Sequence, residues 1–518
     1  MRPASCAAAT ATSSARCQDM STAILMLARA GMIASNRERA MKRAGVSGIV
    51  TCLAVLGRST AAVDETTGQR LRQAIEARRE HYAEVARQVW GFAELGYLET
   101  KSSALLQSEL KAAGFQVTSG VAGIPTAFVA SWGSGRPIVA FIGEYDALPG
   151  LSQDAVAERR PLIAGGPGHG CGHHLLGTAS AAAAIAVRDW LAAERRPGTV
   201  RYYGTPAEEG GSGKVYMVRA GLFRDVDSAI AWHPGDRNEV KAGTTLANIG
   251  AKFRFRGQAA HASASPHEGR SALDGVEAMN DMVNLLREHV PTDARLHYVI
   301  TRGGEAPNVV PDFAEVYYMA RHADIRVLDG VWERVLKAAE GAALGTGTRV
   351  EHEVISAVFN MLPNEPLARL ALANLERVGG VRYSAEEQAF AERLHGTLSG
   401  AAPPLGAQER VLPMQTASGT ASTDLGDVSW NVPTVELEAA TWVPGTPAHS
   451  WQAVACGGTG IGSKGMLVAA KAMALTAADL FTDPAQVEAA RADFERRRAG
   501  VTYRPRIGDR EPALDYRK

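Results

Sequence analysis

An α/β fold, in which a mostly parallel sheet is interrupted by an inserted ferredoxin-like α+β unit, is what this sequence predicts. Three observations predict it. Short, continuous apolar runs at 137–142, 200–203 and 228–232 alternate with helical text, which is the pattern of strands buried on both faces of a parallel sheet. The rhythm then changes over 252–356 to the order β-α-β-β-α-β, that of a ferredoxin-like unit. Finally, apolar, Gly-rich α/β text resumes near Pro363, so the second unit sits inside the first.

Taken in order, residues 71–89 read as a helix, with Ile75, Ala83 and Val89 among its apolar positions, and 103–113 as a second helix stopped at Gly114. The strand at 137–142 is followed by an Ala-rich helix at 175–193 and a strand at 200–203. A short helix over 215–220, closed by Gly221, leads to the strand at 228–232. Such a βαβαβ series calls for right-handed crossovers. In the inserted unit, strands at 252–255, 296–301, 314–321 and 349–356 enclose helices at 271–289 and 328–343. A further strand at 432–437 and a closing helix at 461–480 return to the first sheet, and 496–518 reads as a basic, Pro-containing extended tail. The expected boundaries are a leader at 1–65, a catalytic domain at 66–245 and 361–485, the insert at 246–360 and a C-terminal tail at 486–518.

The leader has its own grammar. Met41-Lys42-Arg43 is basic, 44–57 is apolar, and Ser59-Thr60-Ala61-Ala62 offers small residues suited to cleavage. That is the order of a secretory signal. The expectation is a true start at Met41 and a periplasmic or secreted protein. The alternative is an uncleaved apolar segment in a cytoplasmic one. The stretch is too short and glycine-broken for a stable membrane span.

Bulk properties exclude more than they assign. A chain of 518 residues exceeds one ordinary core. Lys+Arg and Asp+Glu balance at 55 each, which gives no overall field for nucleic acid. Five scattered cysteines make no disulfide framework, and removal of the leader would leave only Cys171 and Cys456.

The polar residues carry the chemistry. Glu144 and Asp146 follow the first buried strand, and His169-Gly170-Cys171-Gly172-His173-His174 opens the next helix. Glu208 and Glu209 follow the second strand, and His233 follows the third. Ligands of open α/β sheets bind outside the carboxyl ends of strands, so these groups gather at one edge. Thiolate, imidazole and carboxylate are the ligands of a catalytic transition metal. Singly, the Glu pair also fits a solvated loop and His233 a core histidine; together with Cys171 and His173 they point to a metal-dependent hydrolase.

Six segments carry a resemblance: Gly168-His169-Gly170-Cys171-Gly172-His173-His174, Thr205-Pro206-Ala207-Glu208-Glu209-Gly210, Ala231-Trp232-His233-Pro234, Ala260-His261-Ala262, Ala306-Pro307-Asn308-Val309-Val310-Pro311 and Ala448-His449-Ser450. In this order the chain resembles the metallopeptidase and amidohydrolase family that includes aminoacylases, carboxypeptidase G and the amino-acid-conjugate hydrolases of bacteria and plants. The resemblance implies a binuclear-metal catalytic domain with an inserted dimerisation or lid domain, and two divalent metal ions, zinc or manganese. It implies Cys171, His173, Glu209, His233 and His449 as metal ligands and Glu208 as general base. One carboxylate would then bind metal while its neighbour takes a proton from the attacking water. His261 matches an oxyanion donor, often supplied across a dimer interface. Asn308 and Arg321 match groups that bind the substrate's polar atoms. His174 stands where many relatives have Asp, and either orients a ligand or simply starts a helix. Glu144 and Asp146 lie behind the ligands or face the substrate. Thr423-Asp424 and the Gly457-Gly458 turn read as structural.

The implied activity is hydrolysis of the amide bond of N-acyl or N-aroyl amino acids, p-aminobenzoyl-glutamate-like conjugates first. The alternatives are a dipeptidase or carboxypeptidase on short peptides, or a non-catalytic subunit of a two-subunit hydrolase. The expected partners are a small-molecule substrate and a second copy, or a related subunit, with no nucleic acid.

Overall fold

The apolar runs become the middle of a seven-stranded sheet, described in a computed structural model over residues 63–518. In chain order the strands are β1 Gln116–Ser119, β2 Phe128–Ser134, β3 Ile138–Gly143, β4 Gly198–Gly204, β5 Ser228–Gly235, β6 Glu239–Lys241, β7 Ala247–Arg256, β8 Arg295–Arg302, β9 Phe313–His322, β10 Arg349–Val358 and β11 Thr434–Ala440. The large sheet has the order β1-β2-β4-β3-β5-β11-β6. Its four central strands run parallel, and antiparallel partners close both edges.

Both faces of that centre are covered, as continuous apolar strands require. Val139 and Phe141 of β3 pack with Leu175, Val187 and Met473 from the long helices His173–Glu194 and Gly460–Thr482. Ala140 and Ile142 face the other way, against Val215 and Met217 of the short helix Gly213–Arg219 and Val428 of Leu425–Ser429. Among the described residues, the two long helices are apolar and long enough to cross a membrane, yet both are core helices packed on the sheet.

The second sheet has the order β10-β7-β9-β8, every neighbour antiparallel. With helices Ala272–Leu286 and Ile325–Thr346 this is the ferredoxin-like arrangement expected, placed in the chain between β6 and β11. The described residues fall within one compact unit, in which Ile142 and Tyr203 share a core with Phe253 and Tyr318.

Four expectations are corrected. The single helix at 71–89 is two, Glu65–Glu76 and Arg79–Phe92, with a break at Ala77-Arg78 that no Gly or Pro marks. Edge strands β1, β2 and β6 were not expected, because none is a continuous apolar run. Val63 is already buried and its N–H donates to Asp479, so the fold begins ahead of residue 66. The C-terminal region is not simply an extended tail: it opens with helix Pro484–Arg498, and its remainder packs on the body with Ile507 buried. The expected signal at 41–62 lies outside the described residues.

Candidate metal centre

Four parallel strands put their carboxyl ends at one edge, and each contributes. Glu144 and Asp146 follow β3, Glu208 and Glu209 follow β4, and His449 lies in the loop after β11. His233 lies within the last turns of β5 rather than after it. Cys171 and His173 reach the same edge from the loop that starts helix His173–Glu194. Two glycines make that approach possible. Gly172 has φ 81°, and a Cβ there would come 2.7 Å from Pro234; a Cβ on Gly177 would come 2.6 Å from the Glu144 carbonyl.

The side chains converge in three overlapping groups, in each of which the possible ligand atoms lie within 4.8 Å of one another: Cys171-His173-His233, Cys171-Glu209-His449 and His173-Glu208-Glu209. All five sequence-predicted ligands and Glu208 are therefore brought together. All but the fully buried His173 line a cleft of about 810 Å³.

The histidines are held with a ring nitrogen to spare. His173 Nδ1 lies 2.9 Å from Asp146 Oδ1, whose other oxygen accepts the Glu209 N–H at 2.9 Å. One carboxylate thus fixes two ligands at once, the usual way an outer carboxylate orients a metal-binding imidazole. His233 Nδ1 lies 2.7 Å from the Pro234 carbonyl, leaving Nε2 free 3.3 Å from Cys171 Sγ. His173 Nε2 and Glu209 Oε1 are buried atoms that make no hydrogen bond of good geometry, although Glu144 Oε2 stands 3.1 Å from the former and His449 Nε2 3.2 Å from the latter. Buried orphan atoms are rare, and a cation between these donors would satisfy both. The residues present therefore fit a metal.

The electrostatics agree. Burial pushes the Cys171 thiol up. Burial alone would depress the His173 imidazole, but Cys171, Asp146 and Glu144 outweigh it and raise it. Burial, followed by Glu144 and Glu209, raises Glu208 well above the usual carboxylate range. Burial also works against the Glu209 carboxylate, yet His449 and His173 hold it below that range. Two adjacent acids thus differ in basicity, the pattern of a proton-transfer group beside a ligand.

Behind the ligands lies Lys214, which sequence reasoning missed. It is fully buried, with Nζ 2.7 Å from Glu144 Oε1 and 2.6 Å from Asp424 Oδ1. A lone buried ammonium would cost several kcal/mol; two carboxylates offset that here. Asp424 also accepts the Lys214 N–H at 2.9 Å, so its structural role is to hold this lysine. Glu99, likewise missed, is buried and accepts the Ala207 N–H at 2.8 Å. Glu436 of β11 lines the cleft, and burial raises its carboxyl. Two acids at i and i+2, Glu436 and Glu438, in an otherwise apolar strand were the available signal.

His169 and His174 are structural ties. His169 Nε2 lies 3.1 Å from the Val89 carbonyl and His174 Nε2 3.1 Å from the Gly457 carbonyl. Burial depresses both, His169 to about 3, so both are neutral donors. Left-handed backbone at Ala207, Ser212 and His449, with φ 58°, 59° and 58°, marks the loops that carry Glu208, Glu209 and His449.

The remaining predicted residues stand apart. Arg321 does not itself line the cleft but lies next to Ser422, which does, its Nη1 3.4 Å from Ser422 Oγ. His261 and Asn308 are exposed on a ribbon of the second unit, where the Ala262 N–H donates to the Asn308 carbonyl at 3.0 Å. Neither lines the cleft of this chain.

Comparison with known proteins agrees with this geometry. The sequence matches the model of peptidase family M20/M25/M40 over residues 140–453. It is 46% identical over 437 residues to a p-aminobenzoyl-glutamate hydrolase subunit of Escherichia coli (strain K12), covering 79% of this chain and 91% of that one. It is 30% identical over 455 residues to Xaa-Arg dipeptidase of Mus musculus, covering 85% and 94%. Among solved structures, an aminobenzoyl-glutamate utilization protein from Klebsiella pneumoniae matches with a TM-score of 0.56 at 19% identity, over 80% of this chain and 98% of that one, a likeness of fold.

Proposed function

The chain belongs to peptidase family M20/M25/M40, and from that premise we propose that it is a metal-dependent amidohydrolase releasing an amino acid from an N-acyl or N-aroyl conjugate, p-aminobenzoyl-glutamate-like conjugates first. The observation that carries this reading is the set of three overlapping ligand groups with Glu208 at their margin. Cys171, His173, His233, Glu209 and His449 would hold two divalent ions. Such ions polarise the amide carbonyl and make a water more acidic. Thiolate chemistry favours zinc, with manganese the alternative. Glu208 takes the proton of the attacking water and returns it to the leaving nitrogen, while Asp146 keeps His173 and Glu209 oriented. Arg321 grips the substrate carboxylate from beside Ser422.

His261 and Asn308 are exposed and do not line this chain's own cleft, which supports a homodimer, or a hetero-oligomer with a related subunit, in which the inserted unit offers them to a neighbouring site. Export through the signal at 41–62 completes the reading, and a mature N-terminus near Ala62 is the expected result of N-terminal sequencing.

The test is the purified chain assayed on acyl and aroyl amino acids and on dipeptides, with and without chelator, beside a metal analysis of protein purified without added metal. Chelator-sensitive release of the amino acid from a conjugate is expected. No release from any substrate would sink the reading. A preference for Xaa-Arg dipeptides would favour the second reading, a dipeptidase, which the likeness to the mouse Xaa-Arg dipeptidase supports.

A further inference from the structure

The loop that carries Glu208 and Glu209 is held from behind by the C-terminal segment of the chain. The Glu209 carbonyl accepts a hydrogen bond from Arg517 Nη2 at 2.7 Å and another from the Tyr516 hydroxyl at 3.3 Å. The Tyr516 ring meets Tyr97 edge-on at 5.5 Å, and the Tyr97 hydroxyl donates to the Gly211 carbonyl at 2.6 Å. The Glu209 N–H is fixed on the opposite side by Asp146. Both backbone polar groups of this residue are therefore anchored, which leaves its carboxylate, and that of Glu208 beside it, little freedom of direction. The anchoring matters because Ala207 and Ser212 hold left-handed backbone in the same loop. Such conformations persist only where the surroundings over-determine them.

The segment is itself well seated. Tyr503 donates to Asp427 at 2.7 Å, Arg506 pairs with Asp329 on helix Ile325–Thr346, and Arg510 donates to the Ile355 carbonyl at 2.7 Å. Arg219 in turn donates to the Arg510 carbonyl at 2.7 Å. The clamp thus runs from the second unit to the back of the Glu208–Glu209 loop.

We propose that Tyr516 and Arg517 are positioning residues for Glu208 and Glu209, acting through the Glu209 carbonyl. The proposal rests on the hydrolase reading for its effect on turnover, but not for its effect on the loop. Neither residue touches the cleft, so substrate affinity has no reason to change.

Arg517→Ala, Arg517→Lys and Tyr516→Phe in the full chain test it by kinetics, by zinc affinity and by amide hydrogen exchange of residues 205–213 in metal-free protein. A displacement of about 1 Å can cost a reaction up to roughly 100-fold; for Arg517→Ala a kcat loss of about 10-fold is expected, with KM within about 2-fold. Faster exchange at 205–213, weaker zinc binding and an unchanged Tm should accompany it. Arg517→Lys, which keeps a charged donor but not the guanidinium lying over the Tyr516 ring, should recover part of the loss, and Tyr516→Phe should show a smaller effect of the same kind. Unchanged kcat and exchange in the Arg517→Ala/Tyr516→Phe double variant would overturn the proposal. A kcat loss that follows Tm and is not recovered by lysine would overturn it too. An inactive wild type would sink the hydrolase reading alone, since exchange and zinc affinity still decide whether the clamp exists.

Discussion

The carboxyl edge of the large sheet and the exposed ribbon of the small one treat their polar residues in opposite ways. At the edge, Asp146, Lys214 and Asp424 are buried, and each is held by partners from elsewhere in the chain. On the ribbon, His261 is exposed, and its Nδ1 accepts only from its own loop, from the Ala264 N–H at 3.2 Å. The difference arises from topology. Parallel strands point their carboxyl ends the same way and gather their outgoing loops there, whereas antiparallel strands send successive loops to opposite ends. It teaches that the edge must balance its charges within this chain, while the ribbon is free to serve a surface that is not its own.

The sharpest way to break the comparison is to unbalance the edge. Lys214→Met leaves Glu144 and Asp424 buried without their shared cation; breaking such a pair typically costs about 3–5 kcal/mol. A large fall in denaturation midpoint is expected, partly recovered when Asp424→Asn is added. An unchanged midpoint would mean that the charges are not balanced by contact. Glu208→Gln should lower kcat roughly 1,000-fold, within the range for loss of a general base, with metal content and Tm intact. Retained turnover would place the base elsewhere.

The ribbon is tested by His261→Ala, for which loss of an oxyanion donor predicts a kcat about 100-fold lower. Mixing this variant with Glu208→Gln should then recover activity, because one site of a mixed dimer holds both intact residues. Failure to recover would show that His261 does not act on a neighbouring copy. The smallest effect concerns the seam between the regions. Asp427 accepts the Phe359 N–H at the end of β10 and the Tyr503 hydroxyl, and burial pushes its carboxyl up to about 7. The folded state therefore holds an extra proton between about pH 4 and 7, and the stability this gives is lost as pH rises through 7. Asp427→Asn should flatten the fall in stability, about 2 kcal/mol over pH 5–7. A Tm–pH profile no flatter than the parent's would remove Asp427 from the seam.

Legibility in the sequence divides along the same line. β3, β4, β5 and the helices His173–Glu194 and Gly460–Thr482 were readable because continuous apolar text is the cost-free way to bury both faces of an element. β1, with residues such as Gln116 and Thr118 on an exposed edge, offers no such text. Cys171, His173, Glu208, Glu209 and His233 were readable because their side-chain types are scarce beside strand ends, whereas His449 was legible only through the family resemblance. Lys214 was not, since a lysine after Gly-Ser-Gly reads as solvated until Asp424, some two hundred residues on, is seen to meet it. Tyr516 and Arg517 were hidden for the same reason: only the folded chain brings them to residue 209.

The pairing of β5 with β11 has a consequence for how the protein is made. The two are neighbours, Ala229 opposite Thr434, yet the whole of the second unit is synthesised between them. Until β11 emerges, the Ala-Ile-Ala-Trp text of β5 is an unpaired apolar edge, a template for association with another chain. Emerging chains should therefore be most prone to aggregate in that interval, and the arrival of β11 closes the sheet and delivers His449 in one event.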